Sequence, residues 1–282
     1  MAKVRIGAVE YLNARPLVFG LERDPRFIVR FDLPARCADL LHGGDIDVGL
    51  IPSIEFLRSP DGPSAYRVVP DLAIGSRGPV ASVAIYTTRD IGDVRSIALD
   101  TSSRTSVALT TVMCRRVFGI TPRFERRGPD LATMLGDCDA ALIIGDVALF
   151  TGSGVQRAGS RDVHVEKIDL GQLWTSTTGL PFVYAFWAGR PSAVGPDEVA
   201  VLQQTRDNAC RAPQKVAATY YPGDPARQAI AEQYLRDNIK YGFGADERAG
   251  LERFYAYAAE AGLVPGAGAP ALFDAADHRM PR

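Results

Sequence analysis

The chain has 282 residues, 46% hydrophobic and 23% charged. This ordinary globular usage excludes a disordered chain, a fibre and a small disulfide scaffold, and it suggests two domains or one large one. Lys and Arg total 32 against 33 Asp and Glu, a net charge of -1, so no global field favours nucleic acid or an anionic membrane and only a local basic patch could.

Val4 to Val9 reads as a strand, and a helix follows from Arg15 with Pro16 in its first turn, where a missing N–H costs nothing. Phe27 to Leu33 is a second strand. Pro34 to His42 is a helix that Gly43-Gly44 ends. Asp47 to Ile51 is a third, buried strand, followed by a short helix at Ser53 to Leu57. This β-α-β-α order implies a parallel sheet covered on both faces. The order then recurs. Ser96 to Leu99 is a strand, Ser103 to Phe118 a long helix ended by Gly119, Pro122 to Arg126 a strand, Pro129 to Leu135 a helix and Ala140 to Ile144 a buried strand. Gly44 to Ile51 aligns with Gly136 to Ile143, 92 residues on, and the same offset sets Glu10 to Ala14 against Ser102 to Ser106. Either short strands coincide or the chain holds two similar lobes; the alternation of elements supports two lobes by itself.

Apolar runs at Pro79 to Thr88 and Pro181 to Ala188 stand between the lobes. The chain is expected to leave lobe one near Ile85 to Arg89 and return near Phe186 to Arg190. Lobe one is then residues 1–87 plus 189–282, and lobe two residues 88–188. Helices at Pro196 to Ala212, Pro225 to Tyr241 and Asp246 to Ala261, the last stopped by Gly262, are expected to pack on lobe one. Pro265 to Arg282, rich in Gly, Ala and Pro, reads as a loose wrap or disorder. The expected fold is α/β, with two lobes that are each a mainly parallel sheet flanked by helices. A ligand belongs in the cleft between them, at the C-terminal ends of strands.

Four segments could carry chemistry there. Tyr11 to Leu17 follows the first strand, and Asn13 is placed either to cap a helix or to face the cleft. Asp100 to Ser106 sits at the corresponding turn. The hydroxyls of Ser103, Thr105 and Ser106 and the guanidinium of Arg104 converge on a helix N-terminus, which favours a bound carboxylate or phosphate over a capping box with a solvated Arg. The glycines and lysine of a P-loop are missing, which disfavours nucleotide phosphates. Ser82, within Gly78 to Val83, is a satisfied core hydroxyl or a cleft-facing one. Gly145 and Asp146 mark a fourth strand-to-helix turn, where Asp146 is an N-cap or an acid reaching the cleft.

Cys37, Cys114, Cys138 and Cys210 form no C-x-x-C pair and have no histidine spaced to complete a zinc pattern. They read as reduced thiols of a cytoplasmic protein. The opening residues resemble a strand rather than a secretory leader. No apolar run nears the roughly 20 residues of a membrane span. His42, His164 and His278 neighbour no recognisable triad. The reading is an anion-binding cleft with no evident base, nucleophile, metal or cofactor, and with no nucleic-acid or membrane partner; a homodimer stays open.

The segments V-E-Y-L-N-A-R-P-L at Val9 to Leu17 and D-T-S-S-R-T-S-V-A-L at Asp100 to Leu109 resemble the signatures of the chorismate dehydratase family, which serves the futalosine route to menaquinone. G-D-I-D-V-G-L-I-P at Gly44 to Pro52, N-I-K-Y-G-F-G at Asn238 to Gly244 and G-L-E-R-F-Y at Gly250 to Tyr255 extend the resemblance over nearly the whole chain. It implies a type II periplasmic-binding-protein fold used as a hydro-lyase. The implied reaction converts chorismate to 3-[(1-carboxyvinyl)oxy]benzoate. It also implies Asn13 and Ser82 as polar active-site residues, with Ser103, Thr105 and Ser106 as carboxylate binders. The sibling 1,4-dihydroxy-6-naphthoate synthase matches the first loop poorly. That sibling activity and a cytoplasmic small-anion binding protein of the same fold are the alternatives.

Overall fold

Strand β1 (Val4–Val9) opens a sheet whose other strands arrive from both ends of the chain. The computed structural model describes residues 3–273. After β1 comes a short 3-10 helix at Leu12–Leu17, then β2 (Phe27–Asp32), α1 (Pro34–Gly43), β3 (Val48–Pro52), a 3-10 turn at Ser53–Phe56, and β4 (Arg67–Ser76). The second half-fold runs β5 (Val83–Thr87), β6 (Ser96–Asp100), α2 (Arg104–Arg116), β7 (Arg123–Arg127), α3 (Leu131–Asp137), β8 (Ala140–Ile144) and α4 (Gly145–Phe150). It finishes with β9 (Gly154–Ala158), β10 (Arg161–Asp169) and α5 (Leu170–Thr178). Strand β11 (Phe182–Gly189) returns to the first sheet, and α6 (Pro196–Cys210), α7 (Pro213–Tyr220), α8 (Pro225–Asp237) and α9 (Ala245–Glu260) close the fold.

The two sheets share a plan. Their orders are β2-β1-β3-β11-β4 and β7-β6-β8-β5-β10-β9. In each, three strands pair in parallel, and the strand beside the third runs antiparallel and comes from across the boundary between the lobes. Parallel character is therefore confined to the three-strand half of each sheet. Every residue of β3, β5, β8 and β11 is buried, as expected of strands covered on both faces. Helix α1 begins with proline and ends at Gly44, whose φ of 78° is open to glycine without a Cβ clash.

The crossings differ from the sequence expectation. All of β5 pairs with β8, from Val83 opposite Ile144 to Thr87 opposite Ala140, so it belongs to the second sheet. Likewise β11 pairs with β3 in the first. The lobe boundaries therefore do not fall at 87/88 and 188/189. The chain crosses at 77–82 and 179–181, short segments that carry Gly78-Pro79 and Gly179 with Pro181. An apolar strand needs ladder partners for its backbone, so a crossing falls where Gly and Pro already break the ladder.

Three further differences have local causes. The helix expected from Arg15 is only the Leu12–Leu17 turn, because Pro16 lies inside it and Gly20, at φ 85°, follows. Pro70 hides β4 in the sequence; the strand tolerates it because β4 lies at the sheet edge. The tail helix expected to end at Ala212 is followed by α7, which Pro213 starts.

Helix α5 ties the lobes behind the cleft. Trp174 meets Phe182 and Phe254 edge-on at 5.1 and 6.2 Å and donates its indole N–H to Pro181 O at 3.1 Å. The tail packs on the first sheet, with α6 against β4 and α9 against β11. Near its end, Val68 N donates to Ala271 O and Phe273 N to Val68 O. The rest of the expected loose end, His278 included, lies outside the described residues. Among the described residues no helix is long and apolar enough to cross a membrane.

Candidate active site

A cavity lies between the sheets, where the turns after β1, β6 and β8 meet. Asn13, Tyr11, Ser103, Ser106, Gly145 and Tyr184 supply its polar wall; Val9, Ile74, Val83 and Ile144 are among its apolar residues. Its free space is about 40 Å³, far below the roughly 300–1,000 Å³ of a typical small-molecule pocket. A ring-sized ligand therefore enters only if the lobes part or a wall moves.

Asn13 is the least satisfied of these groups. Its Oδ1 is enclosed and has no hydrogen-bond partner among the described residues, while its backbone oxygen accepts from Tyr241 OH at 2.9 Å. A buried polar atom left unpaired costs free energy, so an atom of this kind on a cavity wall is fitted to a ligand or a water. Tyr11 lies beside it. Burial pushes its phenol up to about 12; Ser102 opposes that shift, and Asp100, Glu10 and Asp146 add to it. The ring packs against Gly145, which sits at φ 65° and would place a Cβ 3.2 Å from the tyrosine ring. Both the backbone conformation and the close approach favour glycine there.

The turn after β6 divides its side chains by helical spacing. Ser103 and Ser106, three apart, share a face and line the cavity. Ser103 Oγ accepts from Ser106 N at 3.4 Å and from Ser106 Oγ at 3.1 Å, capping the thirteen-residue α2. Arg104 and Thr105 face the other lobe. Arg104 binds Glu55 and Asp39, each at 2.7 Å. Thr105 Oγ1 accepts from Ile54 N at 3.1 Å and lies 3.4 Å from Ser53 Oγ. Ala35 N donates to Ser102 O at 3.0 Å, completing a seam between the lobes. Arg104 and Thr105 are thus not brought to the cavity, because lobe one already supplies their partners.

Glu55 is the buried anchor of that seam, with its side chain only 4% exposed. Burial alone would raise its carboxyl, but His42, Arg104 and Arg58 outweigh burial and hold it below the usual range.

A second seam involves Asp146. Its carboxylate accepts from Leu12 N at 3.3 Å, Tyr220 OH at 2.6 Å and Tyr221 OH at 3.2 Å. The residue stands in the first turn of α4 without capping it, since the cap position is Ile144. Ser82 is 1% exposed and sits behind the wall. Its Oγ lies 2.6 Å from Tyr234 OH, and its carbonyl accepts from Gly145 N at 2.8 Å.

Of the sequence candidates, the structure gathers Asn13, Ser103, Ser106 and Gly145 on the cavity, sets Ser82 behind it, and places Arg104, Thr105 and Asp146 in interlobe seams. Tyr11, Tyr184 and the tail tyrosines 220, 221, 234 and 241 were not among the candidates. Tyr11 lies within the very loop the sequence singles out, and its position beside Asn13 was the available signal. The tail tyrosines carry no local signal, because their partners lie 74 to 228 residues away. Among the described residues, no three His, Cys, Asp or Glu side chains converge to hold a metal. Cys37, Cys114 and Cys138 are buried free thiols, and burial pushes Cys37 and Cys114 up to about 12.

The fold is that of the periplasmic binding proteins. A protein of Archaeoglobus fulgidus superposes with a TM-score of 0.70 at 14% identity, over 93% of this chain and 98% of its own. A Candida albicans protein described as having the generic periplasmic binding protein fold gives 0.60 at 11% identity, over 95% and 92%. The periplasmic aliphatic sulphonate binding protein of Escherichia coli gives 0.60 at 17%, over 96% and 94%. At the sequence level, a chorismate dehydratase of Thermus thermophilus is 30% identical over 258 residues, 88% of this chain and 93% of that enzyme. Residues 4–260 match the menaquinone biosynthesis family. With a two-lobe fold around an interlobe cavity and a match spanning both lobes, this chain belongs to the menaquinone biosynthesis family.

Proposed function

We propose that the protein is a chorismate dehydratase, a hydro-lyase that removes water from chorismate to give 3-[(1-carboxyvinyl)oxy]benzoate. The observation that carries this reading is the cavity wall: the enclosed Asn13 amide oxygen has no partner among the described residues, and no wall residue is a carboxylate, histidine or lysine. A site of this kind orients a substrate and stabilises developing charge but supplies no strong base of its own.

Chorismate supplies what the wall lacks. Its C3–H is conjugated through the ring alkene to the C1 carboxylate, so removing that proton spreads charge into the carboxylate. Loss of the C4 hydroxyl then makes the ring aromatic, which drives the reaction. In this reading the ring carboxylate sits at the α2 N-terminus, where Ser103, Ser106 and the positive end of the helix dipole stabilise the added charge. Asn13 hydrogen-bonds the departing hydroxyl. The enolpyruvyl carboxylate, held over C3, takes the proton; such intramolecular placement gives a large effective concentration. The proton and the expelled hydroxide leave together as water. Asp146, the rival base named from the sequence, already has its carboxylate engaged by three donors. Ser82 acts through its carbonyl, which fixes the Gly145 wall. The buried free thiols fit a reducing, cytoplasmic setting.

The test is purified protein with chorismate, followed by loss of the diene absorbance and by product mass. Turnover with release of one water supports the reading. Binding without spectral change would favour a small-anion binding protein. Inertness toward chorismate with activity on a cyclic futalosine derivative would favour the sibling synthase.

A further inference from the structure

Several backbone groups of the first crossing between the sheets are held by side chains from elsewhere in the fold. Gly78 N donates to Thr175 Oγ1 at 2.9 Å, Pro79 O accepts from Asn238 Nδ2 at 2.9 Å, and Val80 N donates to Asp169 Oδ1 at 3.0 Å. Ala81 stands out within it. Its φ is +63°, a left-handed conformation that a residue with a Cβ keeps only when its surroundings impose it. Two side chains of β10 do so from opposite sides of the residue. Asp169 Oδ2 accepts from Ala81 N at 2.6 Å, and Lys167 Nζ donates to Ala81 O at 3.0 Å. They are two apart on one strand, so they share a face, and they stand opposite Tyr86 and Ala84 of β5.

Lys167 also donates to Ala148 O at 2.6 Å and Thr151 O at 3.0 Å, the carbonyls at the C-terminal end of α4. All three of its N–H donors are thus used on backbone carbonyls. The N-terminal end of α4 is held by Gly145 N donating to Ser82 O. A single ammonium therefore links the left-handed residue before Ser82 to the short helix that begins with the Gly145 wall and carries Asp146.

We propose that Lys167 and Asp169 clamp Ala81 so that Ser82, from behind the wall, holds Gly145 on the cavity in one fixed geometry, which makes both of them positioning residues for the dehydration. The inference rests on the function proposed above. Lys167→Met removes the donor and keeps the apolar stem. It is expected to lower kcat on chorismate at least tenfold, with KM within threefold and an unchanged circular dichroism spectrum. Adding Ala81→Gly to that variant is expected to recover at least fivefold, measured against Ala81→Gly alone, because glycine adopts the positive φ without the clamp. A kcat within twofold of wild type, or a loss that Ala81→Gly does not recover, overturns the proposal. If Lys167→Met does not fold, Asp169→Asn carries the same pair of outcomes, since asparagine still caps α5. Amide hydrogen exchange at Gly145 gives a readout independent of chorismate. At least tenfold faster exchange in the variant supports the clamp, and unchanged protection overturns it. Faster Gly145 exchange in the variant, together with a wild-type protein inert to chorismate, would sink the proposed function while leaving the clamp standing.

Discussion

The turn after β1 and the turn after β6 stand at the same place in their sheets, and their residues align at an offset of 92. In the first, Pro16 keeps the chain in a short 3-10 helix, no side chain caps it, and Asn13 is left with an amide oxygen that nothing among the described residues engages. In the second, Ser103 caps a long helix, while Arg104 and Thr105 bind the opposite lobe. The second turn is richer in donors, yet most of them are already committed. The first turn has one polar side chain on the cavity besides Tyr11, and its oxygen is free. Capacity for a ligand follows from what the fold leaves unpaired, not from how many polar groups a loop contains.

That contrast can be broken by experiment. The largest effect is expected at Asn13. Asn13→Ala should reduce turnover of chorismate by about a hundredfold, the scale seen when one preorganised hydrogen-bonding side chain is removed from a reacting centre. Stability, followed by urea unfolding, should change little. If kcat survives, the two turns do not differ in the way described.

Arg104→Ala should instead lower stability. It strips one partner from the buried Glu55 while Arg58 and His42 remain, so a loss of about 2 kcal/mol is expected, below the full cost of breaking a buried pair. The KM for chorismate should stay within threefold. A tenfold rise in KM without a shift in the urea midpoint would make Arg104 a ligand-binding residue after all. Ser103→Ala lies between the two turns in character. It removes a helix cap worth about 1 kcal/mol and a cavity hydroxyl, so a modest loss of stability should accompany a several-fold rise in KM.

The smallest effect concerns pH. Because Glu55 is held below its usual range in the folded protein, its contribution is fully present above the unfolded value near 4.5 and is lost as pH falls through the folded value. The urea midpoint of the wild type should therefore fall more steeply than that of Glu55→Gln as pH drops below about 4.5. Parallel curves would mean that the seam contributes no acid sensitivity.

Much of this was legible in the chain. Alternating apolar strands and capped helices gave two lobes, Gly44 marked a helix end, and the aligned Gly44 to Ile51 and Gly136 to Ile143 segments became β3 and β8, the third strands of matching sheets. The loops around Asn13 and Ser103 were marked by their position after strands. Strand β4 was hidden by Pro70, and the crossings were misplaced because an apolar run looks the same whichever sheet completes it.

By itself the sequence determined the strands and helices of the parallel half of each sheet, their order and the two turns that meet the cavity, because periodicity, caps and breakers act over a few residues. Only the tertiary structure decided which polar groups in those turns are free. Glu55 and Asp39 draw Arg104 to the far lobe, Tyr220 and Tyr221 hold Asp146, and Lys167 reaches Ala81 from 86 residues away. Hydrogen-bond satisfaction is settled between groups distant in the chain, and no local pattern encodes which of them will meet.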